Sequence, residues 1–232
     1  MLNILTQDTW VGMITYIVLF SSWFFISIMY ELIGYFPYFD KYKIQKNNVI
    51  SKELKHLAIY MCTINWGLIL IATYLGASHI NQLFPNKTFV WIDTYKIPIS
   101  LVIDDIFFYT YHRTLHSNKF LYQFHKPHHK FSTPFVWTSH AVHPVELFLQ
   151  SIGGMLGPII TNMSLPMLWL WFIVRQAHGV IEHSGYDSWL DPLGWVPFMA
   201  GTKFHDDHHK RILGNYASTF SIIDKFCNTI LN

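Results

Sequence analysis

Three histidine boxes constrain this chain more than any other feature. His112-Arg-Thr-Leu-His116 is followed by His125-Lys-Pro-His128-His129, and about 75 residues further on by His205-Asp-Asp-His208-His209. On an α-helix, positions i, i+3 and i+4 share one face. The spacing therefore predicts that each box aims its ring nitrogens at one point. A lone histidine is more often a satisfied core residue than a ligand. Eight in three boxes at this spacing point to metal, and imidazole suits iron, zinc, copper and nickel.

The chain around the boxes is apolar. Charged residues are 13% of the sequence and hydrophobic residues 51%, against roughly 25% charged in a soluble protein. Residues 10–30 carry no charge, enough at ~20 residues to cross a bilayer. Pro37 closes that run. Lys41, Lys43, Lys46, Lys52 and Lys55 mark the next segment as cytosolic by the positive-inside rule. Residues 57–77 read as a second span, and 97–111 as a third that carries Asp104 and Asp105. Residues 145–174 read as a membrane hairpin broken by Gly153, Gly154, Gly157, Pro158 and Pro166, with a re-entrant leg as the alternative. Glycosylation sequons stand at Asn86-Lys87-Thr88 and Asn162-Met163-Ser164.

The expected fold is an all-α integral membrane protein of about four transmembrane helices in two hairpins. A cytosolic, histidine-rich helical cap holds a dinuclear metal site. One domain covers 1–232, with an anchor region over 1–111 and a histidine-box region over 112–229. This topology places every box on the cytosolic side and both sequons opposite. Residues 1–9 contain no Lys or Arg, so no secretory signal is read there. Cys62 and Cys227 make no disulfide framework. A net charge of +2 without a basic motif gives no case for nucleic acid.

The box histidines His112, His116, His125, His128, His129, His205, His208 and His209, with His183 as a ninth, suffice for two metal ions with open positions. His143 and His178 are further candidate ligands, ranked behind these. His178 and His183 lie five residues apart, ~140° around a helix, so one straight helix cannot aim both inward. His140 reads as polar filler, and His56 and His79 receive no role. Asp105 shares a helical face with His112 and could hold its second ring nitrogen from outside the ligand shell; the other reading is an acid at the water boundary. A zinc hydrolase using Glu146 or Glu182 as base and a non-catalytic metal- or sterol-binding protein are the rival classes. A metal transporter would need polar spans, which these are not.

The boxes resemble those of the fatty acid hydroxylase and sterol desaturase superfamily. The flanking words are more specific. Phe124-His-Lys-Pro-His-His-Lys-Phe131, Ala141-Val-His-Pro-Val-Glu146, His183-Ser-Gly-Tyr-Asp187 and Gly214-Asn-Tyr-Ala-Ser-Thr-Phe220 are together similar to the 4-methylsterol monooxygenases, as is the stretch from Pro37 to Lys46. The resemblance runs from about residue 30 to 229. It implies an endoplasmic-reticulum enzyme whose two irons face the cytosol, with zinc a replacement metal. It implies O2-dependent oxidation of a sterol 4-methyl group through alcohol and aldehyde to carboxylate. Electrons would come from NAD(P)H through cytochrome b5 and its reductase. A sterol desaturase, a sterol side-chain hydroxylase and a fatty acid hydroxylase share the boxes and stand as alternatives. Three departures are visible: Phe204 where relatives usually carry another histidine, Phe226-Cys-Asn-Thr229 where a Phe-Gly-Thr motif is usual, and no dilysine retrieval signal.

Overall fold

A computed structural model describes residues 6–231; residues 1–5 and 232, which the expected domain includes, lie outside the described residues. The described residues are helical, with two isolated bridges and no named strand. Helix α1, Gln7–Ile33, starts at Thr6, whose side chain accepts from the Thr9 N–H. Helix α2, Lys52–Leu75, starts at Ser51 in the same way, accepting from Leu54. These caps satisfy amide groups that the first helical turn leaves unpaired. Both helices are long and apolar enough to cross a membrane, by length and composition. They run antiparallel: the Asn81 side chain, on the following helix α3 (Ala77–Leu83), donates to Asp8 near the start of α1 at 2.6 Å. Trp23 and Trp66 pack between α1 and α2 with ring centroids 5.0 Å apart.

The expected third span is helix α4, Lys96–Ser117. Helix α5, Lys119–His125, follows at once, with Asn118 capping it through bonds from Phe120 and Leu121. The hairpin consists of α6, Pro144–Ile160, and α7, Leu165–Glu182. Here the structure corrects the expectation that glycine and proline break the segment. Gly153, Gly154, Gly157 and Pro158 all lie inside α6, and Pro166 sits in the first turn of α7, where its missing N–H costs nothing. Two of the glycines permit close packing on α4. A Cβ at Gly157 would stand 2.5 Å from Ser100 Cβ, and one at Gly153 would stand 2.9 Å from both Asp104 Oδ1 and Phe107 Cδ1.

Helix α7 also runs two turns beyond the apolar stretch. Arg175 does not end it, because its Nε lies 2.6 Å from the buried Asp104 Oδ2 in an ion pair across α4 and α7. Helices α8, Gly201–Arg211, and α9, Ser221–Phe226, complete the chain. The α7 end packs on α8, and α4 on α5 and α6. The two sequons adjoin at the other end of the bundle. Leu165 N donates to Asn86 O, and Lys96 Nζ to Asn162 O, at the starts of α7 and α4.

Candidate metal centre

The histidines converge from four places: the last turns of α4, the α5 end with a 3-10 turn over His128–Lys130, the cap of α7, and α8. They form two groups, and the groups do not follow the boxes. His112, His116, His125, His129 and His208 make one; His128, His183, His205 and His209 make the other. Within each, one ring nitrogen per residue lies within 4.8 Å of all the others. The first box, His112 and His116, aims at one point as expected, but the expectation is corrected for the second and third boxes. His128 leaves its neighbours His125 and His129, and His208 leaves His205 and His209. Residues i+3 and i+4 differ by ~100° around a helix, so adjacent histidines diverge enough to reach two centres.

The nitrogens that meet are Nε2 atoms. His129 Nε2 lies 2.9 Å from His125, 3.1 Å from His208 and 3.2 Å from His116, and His112 lies 3.0 Å from His125. In the second group His183 is 3.0 Å from His205 and 3.4 Å from His128, and His205 is 3.1 Å from His209. One ring proton cannot satisfy three lone-pair nitrogens around His129, but a shared cation can. Metal–nitrogen bonds of ~2.0–2.1 Å place neighbouring ligands ~2.9–3.4 Å apart, so the donor set fits a metal ion in each group. Burial holds the rings neutral, as ligation requires. It pushes His116 down to about 3, and His183 and His208 to about 4.

The outward Nδ1 atoms fix several ring orientations. His112 donates to Tyr216 O and His208 to Gly214 O, both at 2.7 Å, and His183 to Gly179 O at 2.8 Å. His128 Nδ1 lies 3.4 Å from Ala141 O. A carboxylate serves one ring: Glu146 Oε2 is 2.9 Å from His125 Nδ1, with both side chains buried. Such partners set the tautomer that leaves Nε2 free for metal. Sequence reasoning missed Glu146 in this role. The signal was its place three residues after His143, at the start of α6, but nothing local ties it to His125.

Three sequence candidates sit elsewhere. Asp105 touches no histidine. Its carboxylate accepts the backbone N–H groups of Ser218, Thr219 and Phe220 at 2.7–3.0 Å. It anchors the loop whose Tyr216 carbonyl orients His112, and so acts one step further out than expected. His143 caps α6, its Nδ1 accepting from Val145 N–H. His178 lies outside both groups, its Nδ1 3.1 Å from Arg175 and 3.3 Å from Glu182. His140 stacks on Trp66 with centroids 4.8 Å apart, in keeping with a packing role.

The family model for fatty acid hydroxylases matches residues 97–229. Methylsterol monooxygenase 1 of Gallus gallus is 32% identical over 216 residues, covering 90% of this chain and 73% of its own. The protein of the same name from Danio rerio is 30% identical, covering 95% and 77%. Very-long-chain aldehyde decarbonylase GL1-8 of Oryza sativa subsp. indica is 33% identical, covering 89% and 80%. No solved structure matches.

Proposed function

The chain belongs to the fatty acid hydroxylase family and is an oxygen-dependent oxidoreductase; from that premise we propose that it oxidises the 4-methyl group of a sterol precursor. The observation that carries the chemistry is the pair of adjoining all-imidazole groups, five and four histidines strong. The substrate class rests on the sterol-oxidising relatives. In the first oxidation a methyl C–H becomes C–O–H. One atom of O2 enters the product, the other leaves as water, and two electrons and two protons are consumed.

Two irons held by the nine histidines would supply the O2-dependent redox chemistry; the same donors also accept zinc. The protein's own part is to keep the imidazoles neutral and oriented, to exclude water, and to align the substrate carbon. Electrons reach the site from NAD(P)H through cytochrome b5 and its reductase. The chain forms a single membrane domain in which α1, α2 and α4 cross and the α6–α7 hairpin enters the membrane and returns. It lies in the endoplasmic reticulum with the metal site facing the cytosol.

The test is to load the detergent-purified chain with Fe(II) anaerobically, then supply a 4-methylsterol, O2 and a reductase system. Two irons per chain and a 4-hydroxymethyl or 4-carboxyl product by mass spectrometry are expected. A new ring double bond or an oxidised side chain would move the reaction elsewhere on the sterol. The rice relative supports a second reading, a long-chain aldehyde substrate. Conversion of such an aldehyde with no sterol turnover would select it.

A further inference from the structure

The segments that carry the four-histidine group also wall a cavity of about 390 Å³: Ser184 and Gly185 follow His183, and Asp206 follows His205. That volume lies in the ~300–1,000 Å³ range of small-molecule sites. The end of α1 and the start of α2 supply further wall residues. Both helices are long and apolar enough to cross a membrane, which puts the cavity at a membrane–water boundary. Tyr35 and Val49, 73% and 94% exposed, belong to its lining. Apolar and aromatic side chains this bare suit contact with lipid at that boundary.

The wall carries charges of both signs. Lys46 and Lys55 are exposed, and neither pairs with a carboxylate among the described residues. Lys43 also lines the cavity but is held by Asp40 at 2.7 Å. The buried acid is Asp206, 1% exposed. Gln45 fixes it, donating from Nε2 to Asp206 Oδ1 at 2.8 Å and to Ser132 O at 2.9 Å, while Gln45 Oε1 accepts from Asn48 and Thr133. Asp206 Oδ2 is left buried and without a partner, a costly state that native proteins seldom leave without a use. Glu31, another wall residue, gives Oε2 to Trp137 Nε1 at 3.1 Å, and its Oε1 accepts nothing from the described residues.

A ligand that answers both needs carries an anion for the lysines and, a short reach away, an N–H donor for the carboxylates. We propose that the cavity binds the headgroup of an aminophospholipid, with its phosphate at Lys46 and Lys55 and its primary ammonium at Asp206 and Glu31. In an ethanolamine headgroup two carbons separate the phosphate ester from the amine. Lysine binds phosphate as a compact point charge, and lysines next to a span draw lipid phosphates. A choline headgroup has the same phosphate, but its nitrogen carries no hydrogen, so it leaves Asp206 Oδ2 unpaired. The site rests on α1 and α2 spanning the membrane and is independent of which sterol carbon is oxidised.

The test is native mass spectrometry of the iron-loaded, full-length protein in detergent, titrated with phosphatidylethanolamine and with phosphatidylcholine of the same chain length. The wild type should hold the ethanolamine lipid about tenfold more tightly, the worth of one hydrogen bond to a charged group. Asp206→Asn, which can put an N–H donor where Oδ2 accepts, should bring that ratio toward one. Asp206 lies between two metal-site histidines, so a second variant guards against misfolding. Lys46→Gln with Lys55→Gln alters only exposed side chains; it should weaken both lipids alike, about tenfold, and keep their ratio. Soluble O-phosphoethanolamine, the headgroup without its chains, should displace the lipid poorly. Equal retention of the two lipids by the wild type, or unchanged retention by the double lysine variant, overturns the proposal. So does a wild-type ratio in Asp206→Asn that folds and holds its iron. Full displacement by O-phosphoethanolamine at equal concentration overturns the lipid as the ligand's source. A wild-type chain that stays soluble without detergent overturns the membrane reading beneath the site.

Discussion

Glu146 meets His125 from the start of α6, Oε2 to Nδ1 at 2.9 Å, in a contact where both side chains are all but shielded from solvent. No other metal-site imidazole has a carboxylate against its Nδ1 among the described residues. Glu146→Ala should weaken metal binding in the five-histidine group about 10–100-fold, and Glu146→Gln less. Competition with a calibrated chelator, resolving the two ions, checks this. Equal weakening of both ions would contradict the assignment.

The division of the boxes makes a separate prediction. His208→Ala removes a ligand from the five-membered group and His128→Ala one from the four-membered group. Each should abolish turnover while the chain still inserts in the membrane, and each should cut the iron content from two toward one. Full activity in both variants would sink the metal-site assignment.

Asp105 holds three backbone amides of the loop that follows Tyr216. Asp105→Ala strands them in a buried setting, and a loss of about 3 kcal/mol or more is expected. Thermal unfolding should report it, and limited proteolysis should open the chain near residue 218 before it cuts elsewhere.

Gly157 lies so close to α4 that an added methyl would collide with Ser100. Gly157→Ala should destabilise by about 1–3 kcal/mol. Gly154, one turn back, meets nothing within 4 Å, so Gly154→Ala should be neutral or stabilising by up to about 1 kcal/mol. Melting temperatures of the pair decide between close packing and a helix break. Were position 153–158 a break, the two substitutions would behave alike.

The buried imidazoles set a pH dependence for the metal-free protein. Burial lowers His183 and His208 from 6.5 to about 4. Between those values the unfolded chain binds more protons than the folded one, so stability rises with pH. It should be fully present above about pH 6.5 and fall away as the pH drops toward 4. Melting curves of chelator-stripped protein at pH 7.5, 6 and 5 test the sign; a flat series counts against it.

Much of the centre was legible because ligand chemistry is local. The i, i+3, i+4 spacing is visible in a string, and all nine expected imidazoles enter one group or the other. The partition was not legible. It depends on α5 ending at His125 and a tighter turn carrying His128, a change of helix type that Pro127 hints at but does not locate. Asp105 was drawn toward His112 because seven residues on a helix can be counted. The real partner of a ligand, Glu146, reaches His125 across 21 positions of turns and loops that no periodicity spans. The glycines of α6 read as interruptions for a similar reason: their use lies on another helix, at Ser100 and Phe107.

The α6–α7 hairpin lies between His129 and His183, so candidate ligands flank it on both sides in the sequence. Once ions are held, the chain from one box to the next becomes a closed ring, tied by coordination much as a disulfide ties a loop. That ring can shut only after both ends have arrived on the same side. On the proposed reading metal loading would follow threading, because each histidine group draws members from both sides of the hairpin and a misthreaded hairpin would leave both groups incomplete.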